Sequence, residues 1–181
     1  MKDVHADLLQ VISAMAVSAE NGLQLPALIL AYSTIDAMGW LGAEPSIARG
    51  RHQFVWWCDT YLLPANQALK CSALELYAAR CGILHTFTGE SDLGARPEVR
   101  HIVYSWGRPA HLQKLERIVE RVGDPKYVAV HLNDLTDAIR LGVAQMFEDA
   151  QREAVLARRI AERGARYFDH LDGDAFDQFL E

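Results

Sequence analysis

Arg80 and His85 stand five residues apart in the run Leu76-Tyr77-Ala78-Ala79-Arg80-Cys81-Gly82-Ile83-Leu84-His85, which closes a hydrophobic helical pattern. An imidazole, with an ordinary pKa of about 6.5, can take up a proton and return it at neutral pH. A guanidinium keeps its charge and grips phosphate through a fork of N–H donors. Together they form the minimum set for cleaving RNA without a metal. His85 would exchange protons with the 2′-hydroxyl or the leaving 5′-oxygen, and Arg80 would hold the phosphate and stabilise charge developing on its oxygens. Thr86, Thr88 and Ser91 follow at once and add hydroxyls that can hydrogen-bond to the same group. Plainer uses exist for both residues. Arg80 suits an ion pair with Asp36 or Glu75, and a histidine near a helix C-terminus complements the macrodipole.

The elements that must position this pair read as helices. The fourth is expected from about Asn66 to Phe87, with Leu69, Ala73, Leu76, Arg80, Leu84 and Phe87 along one stripe. Arg80 interrupts an apolar face there, and a guanidinium so placed requires a carboxylate, a phosphate or an opening to solvent. Asp36 is the mirror case on the second helix, among Ile29, Tyr32, Ser33 and Trp40. An Asp36–Arg80 pair would resolve both anomalies, although Arg51 or a solvent cleft would serve Asp36 equally. His85 lies about 140° around the helix from Arg80 at 3.6 residues per turn. The two converge if the helix ends there, if the arginine stem reaches round, or if a two-fold axis brings two copies together.

The run from Leu76 to His85 resembles the Arg-x(4–6)-His signature of the HEPN superfamily, small helical bundles abundant in bacterial toxin–antitoxin and antiphage systems. The resemblance implies a helical homodimer in which Arg80 and His85 of two copies form one metal-independent endoribonuclease site. RNA is then the substrate, and an antitoxin or defence protein the partner. It also admits a second outcome, a non-catalytic HEPN-like dimer that serves as an interaction or nucleotide-binding module. Many active members carry a polar residue after the arginine. Here that position is Cys81, which favours the second outcome.

Around the motif, Val4, Leu8, Val11, Ile12 and Met15 predict a first helix from about Asp3 to Glu20, stopped by Asn21-Gly22. Pro26 opens a second, in which Leu28, Tyr32, Ile35 and Met38 recur before Gly39 and Gly42. A third runs from near Arg51 to Leu63, with Phe54, Trp57, Cys58 and Tyr61 on one face, and ends at Pro64. Trp56-Trp57 is its best candidate for a subunit contact. Alternating, β-prone residues predict strands over Arg100–Trp106 and Tyr127–Leu132, flanking a helix from Pro109 to Val122. Their relative direction stays open. Asn133 or Asp134 is expected to cap a long C-terminal helical stretch, broken near Glu148–Arg152 and reaching about Tyr167, after which Phe176, Phe179 and Leu180 could dock as a short turn. The expected fold is mainly α: a helical bundle with a small two-stranded β element and a long C-terminal helical segment. It reads as one domain, with residues 1–95 as the helical core, 96–132 as a strand–helix–strand appendage and 133–181 as C-terminal helices on the same core.

Composition narrows the function classes. The 181 residues carry a net charge of −6, which argues against a general basic field for coating nucleic acid but leaves room for a local site. Arg158, Arg159, Arg163 and Arg166 interleave with Glu153 and Glu162, the pattern of a solvated helix face. Cys58, Cys71 and Cys81 form no Cys-x-x-Cys pair and read as reduced, inert thiols. The seven histidines are scattered, none at a metal-ligand spacing from another, so neither metal nor cofactor is expected. The stretch Leu25–Leu41 is broken by Tyr32, Ser33, Thr34 and Asp36, and the first residues are acidic, so a cytoplasmic protein without membrane attachment is expected.

Overall fold

In the computed structural model, which describes residues 4–88, 94, 96 and 99–166, the order is α1 (Val4–Glu20), α2 (Gln24–Gly42), α3 (Arg51–Trp57), a π-helical turn (Cys58–Leu62), α4 (Leu63–Ala65), α5 (Ala73–Thr86), β1 (His101–Ser105), α6 (Ala110–Val122), β2 (Tyr127–His131), α7 (Leu132–Arg152) and α8 (Ala154–Gly164). The protein is thus mainly α with a small sheet, as its periodicities predict. The expected turn at Phe176, Phe179 and Leu180 lies outside the described residues.

α2 is the axis of the bundle because it is apolar on every side. Ala27, Ala31, Tyr32, Ile35, Met38 and Leu41 are all fully buried, with α1, α3, α5, α7 and α8 packed around them. By length and composition alone α2 could cross a membrane, so the chain does contain one stretch that approaches a span; 56% of its apolar window is buried inside the protein. The helix runs through Gly39, which has a packing role. This glycine lets the α3 backbone come so close that a Cβ added there would lie 2.7 Å from the Gln53 carbonyl oxygen. Gly42 is the last helical residue, and a Cβ there would meet Met146 Cε at 2.6 Å.

Pro64 likewise does not stop the third helix. The backbone shifts to i→i+5 pairing, with Leu63 N–H donating to the Cys58 carbonyl, and Pro64 sits in the first turn of the α4 segment that follows. There its missing N–H costs little. Trp57 is fully buried inside the chain and so offers no subunit contact; Trp56 is partly buried against the same core.

The two strands are parallel, in register from His101 opposite Tyr127 to Ser105 opposite His131. A parallel pair needs a crossover of a dozen residues or more, and α6 supplies it. Ile102, Val128 and Val130 join the helical core, and the Tyr104 hydroxyl hydrogen-bonds to that of Tyr32 on α2. Burial raises the pKa of both phenols, so this link stays protonated.

Other local expectations are corrected by side-chain chemistry. The cap of α7 is neither Asn133 nor Asp134 but His131, whose Nδ1 accepts from Asn133 N–H at 3.2 Å. The break after α7 falls at Glu153, at the edge of the expected window, and α8 ends at Gly164. The α8 arginines are not all a solvated face. Arg159 donates to the Gly42 carbonyl at 2.5 Å and Arg163 to that of Trp40, so they cap the last turn of α2.

Candidate functional site

α5 is capped at Ser72, six residues beyond the start at Asn66 that the periodicity suggests, because that is where its first N–H groups find acceptors. The Ser72 hydroxyl accepts from Glu75 N–H at 3.2 Å, and Glu75 Oε2 accepts from Ser72 N–H at 2.7 Å. This capping box fixes the start of the helix. Leu69 therefore lies outside α5, though buried in the core. Ala73, Leu76, Ala79 and Ile83 then turn inward and leave Arg80 at the margin of the packed face.

Arg80 finds the partner its position demands. Its Nε and Nη2 both donate to Asp36 Oδ2, at 2.8 and 2.7 Å, with the two side chains 20% and 30% exposed. Glu75, the other acid considered, is instead taken by Arg100, and Arg51 is an exposed residue at the start of α3. The Tyr77 ring, one turn before Arg80, lies 5.9 Å from the guanidinium carbon. Burial raises the Asp36 pKa, and the hydrogen bond and charge of Arg80 only partly reverse that. For Arg80, burial acts against the charge, but Asp36 outweighs it and holds the guanidinium pKa above its usual value. The arginine is a fixed cation beside a carboxylate that burial does not favour in its ionised form.

The third arm of the guanidinium reaches the histidine. Arg80 Nη1 lies 3.1 Å from His85 Nε2, so the long stem spans the helical offset within one chain. A second copy is not needed to unite them. Arginine has no acceptor, so in this contact Nε2 must accept and the ring proton must reside on Nδ1. His85 is exposed, and in this contact the Nε2 lone pair is covered by Arg80. A phosphate oxygen competing for Nη1 would uncover that lone pair at the moment of binding.

The supporting hydroxyls do less than their positions suggest. Thr86 Oγ1 donates to the Gly82 carbonyl at 2.9 Å and meets Thr88 Oγ1 at 2.7 Å, so these contacts close the helix end. Ser91 lies outside the described residues. Among the thiols, Cys58 and Cys71 are buried and their pKa values are raised by burial, that of Cys71 to about 12, whereas Cys81 is half-buried. Among the described residues no three His, Cys, Asp or Glu side chains gather as a metal site. Tyr77 is the residue that reading the motif alone overlooks; its i−3 spacing from Arg80 was the available signal.

Comparison of the chain with protein-family models, with curated proteins and with solved structures returns no match.

Proposed function

We propose that the chain is a HEPN-like, metal-independent endoribonuclease of a toxin or defence system, with Arg80 as phosphate clamp and His85 as proton carrier. The observation that supports this most is the direct Arg80–His85 contact at 3.1 Å, made by an arginine that Asp36 anchors through its other two nitrogens. Asp36 is a positioning residue in this scheme. Phosphate draws Nη1 away from His85, and the freed Nε2 takes the proton of the 2′-hydroxyl. The 2′-oxygen attacks phosphorus, the P–O5′ bond breaks, and the 5′-oxygen leaves with a proton from a histidinium. The products are a 2′,3′-cyclic phosphate and a 5′-hydroxyl. In a homodimer the second copy's His85 would supply that acid.

One observation favours the second reading, a non-catalytic HEPN-like dimer serving as an interaction or nucleotide-binding module. Asp36 already satisfies most of the guanidinium, which therefore needs no phosphate to be stable where it is. Incubation of wild-type and His85→Ala protein with RNA in EDTA separates the two. The ribonuclease reading requires cyclic-phosphate ends that depend on His85. Equal, background cleavage by both proteins overturns the ribonuclease reading.

A further inference from the structure

Ser105 and His131 end the two parallel strands and stand directly opposite each other in the register. In a parallel pair, opposed residues project on the same face of the sheet. Ser105 is 7% and His131 3% exposed, yet neither Ser105 Oγ nor His131 Nε2 has a hydrogen-bond partner among the described residues. Buried polar atoms are nearly always paired, so two orphans on neighbouring positions call for a reason.

The protonation of His131 narrows what that reason can be. Nδ1 accepts from Asn133 N–H, so in the neutral ring the proton sits on Nε2. With its base nitrogen occupied, His131 cannot take the proton of Ser105, and a Ser–His nucleophile is excluded in this arrangement. What remains is a pair of donors, Oγ–H and Nε2–H, side by side at the carboxyl ends of parallel strands. That edge is where open α/β units receive ligands. Two helices also begin there. α6 opens without any side-chain cap after the loop Trp106-Gly107-Arg108-Pro109, and α7 opens directly after His131. Their N-termini add partial positive charge, although His111 and Leu112 N–H already donate to the Arg108 and Pro109 carbonyls and Asn133 N–H to His131 Nδ1. Arg108 is exposed and makes no ion pair among the described residues, and Trp106 is 50% exposed on the same loop.

We infer that the C-terminal edge of the parallel sheet binds a phosphate-bearing ligand, with Ser105, His131 and Arg108 on the phosphate and Trp106 stacked on an attached base. The ligand class is a nucleoside monophosphate. Its phosphate oxygens accept from the two buried donors, and its base has the flat face an exposed indole can cover. Ser105 Oγ and His131 Nε2 are closed to solvent, so entry of the phosphate requires the neighbouring chain, of which the loop 106–109 is the exposed part, to move aside. That loop is exposed at all four positions, with Gly107 in the left-handed region at φ 82° and His111 Nδ1 donating to the Trp106 carbonyl at 2.7 Å. None of these residues belongs to the Arg80 cluster, so the inference stands apart from the ribonuclease reading.

The test is titration of the full chain with adenosine 5′-monophosphate, inorganic phosphate and adenosine, followed by calorimetry and tryptophan fluorescence. The monophosphate is expected to bind and to perturb fluorescence. Ser105→Ala and Arg108→Ala should each weaken it about tenfold, the value of one charge-assisted contact. Trp106→Ala should bring its affinity down to that of inorganic phosphate. Ser105→Ala removes an unpaired buried hydroxyl, so the free protein should unfold at the same denaturant concentration or higher, and Arg108 is on an exposed loop. A folding defect therefore cannot imitate the expected loss. Equal binding of inorganic phosphate and the monophosphate would keep the oxyanion site and assign it to free phosphate. Absence of binding by all three probes up to about 1 mM, or unchanged affinity in both Ser105→Ala and Arg108→Ala, overturns the inference.

Discussion

The two ends of α5 each carry an arginine–carboxylate pair, and they are built in opposite ways. At the N-terminal end Glu75 is 5% exposed, accepts from Arg100 Nε at 2.6 Å and Nη2 at 3.1 Å, and closes the capping box with Ser72. Burial pushes its pKa up, but the Arg100 and Ser72 hydrogen bonds prevail and hold it below the usual glutamate range. Near the C-terminal end Asp36 is the more exposed acid, yet burial wins and its pKa rises despite Arg80. That end also places Phe87 in the left-handed region at φ 55°, a conformation that glycine takes at far lower cost, and leaves its ring 65% exposed. One pair is satisfied from every side. The other keeps one arm of its arginine on an exposed histidine, and backbone strain and unfavourable burial collect beside it.

The contrast breaks most visibly at His85. If the C-terminal end is a site, His85→Ala should lower RNA cleavage by about 10²- to 10⁴-fold, the usual range for losing a general acid–base, while its exposed position keeps the stability change within about 0.5 kcal/mol. A matching loss of stability and activity would return His85 to a structural role. At the other end Glu75→Gln should cost about 2 kcal/mol in urea unfolding, because it exchanges charge-assisted hydrogen bonds from the part-exposed Arg100 for neutral ones and weakens the cap. A cost near zero would show that the two pairs are not energetically distinct. Phe87→Gly is expected to go the other way, gaining about 1 kcal/mol by relieving the left-handed strain. No gain would mean that the Phe87 ring earns back its backbone cost through packing.

How far the residues announced this arrangement depends on the range of the interaction. Helices with a strong apolar stripe, such as α1 and α7, were legible because burial of that stripe decides them. The Asp36–Arg80 pair was legible as well, since each charge interrupts an apolar face and the two anomalies cancel. The start of α5 was misplaced because Leu69 fits the stripe while the deciding contact is the local Ser72–Glu75 box. Arg100 was out of reach for another reason. It lies 25 residues beyond Glu75, past a segment whose pattern carries no periodicity, and only packing β1 beside α5 brings them together. The strand direction was open for the same reason. The His85 contact turned on the reach of a flexible arginine stem, which an ideal helical angle does not describe.

The smallest expected effect is also the one that separates the two carboxylates most cleanly. A depressed pKa, as at Glu75, contributes stability that is present above the ordinary glutamate value and is lost as pH falls through the folded value. A raised pKa, as at Asp36, contributes with the reverse sign: its share is complete below the ordinary aspartate value and is lost as pH rises through the folded one. Unfolding free energies of wild type, Glu75→Gln and Asp36→Asn, measured from about pH 3 to about pH 6, should therefore diverge. The advantage of wild type over Glu75→Gln grows with pH, whereas its advantage over Asp36→Asn shrinks, ending within about 1 kcal/mol of zero at the upper end of that range. Two lines of the same sign would mean that Asp36 is stabilised by Arg80 as fully as Glu75 is by Arg100. Opposite signs together with reduced cleavage by Asp36→Asn would mean that Asp36 is kept to aim the guanidinium rather than to hold the fold.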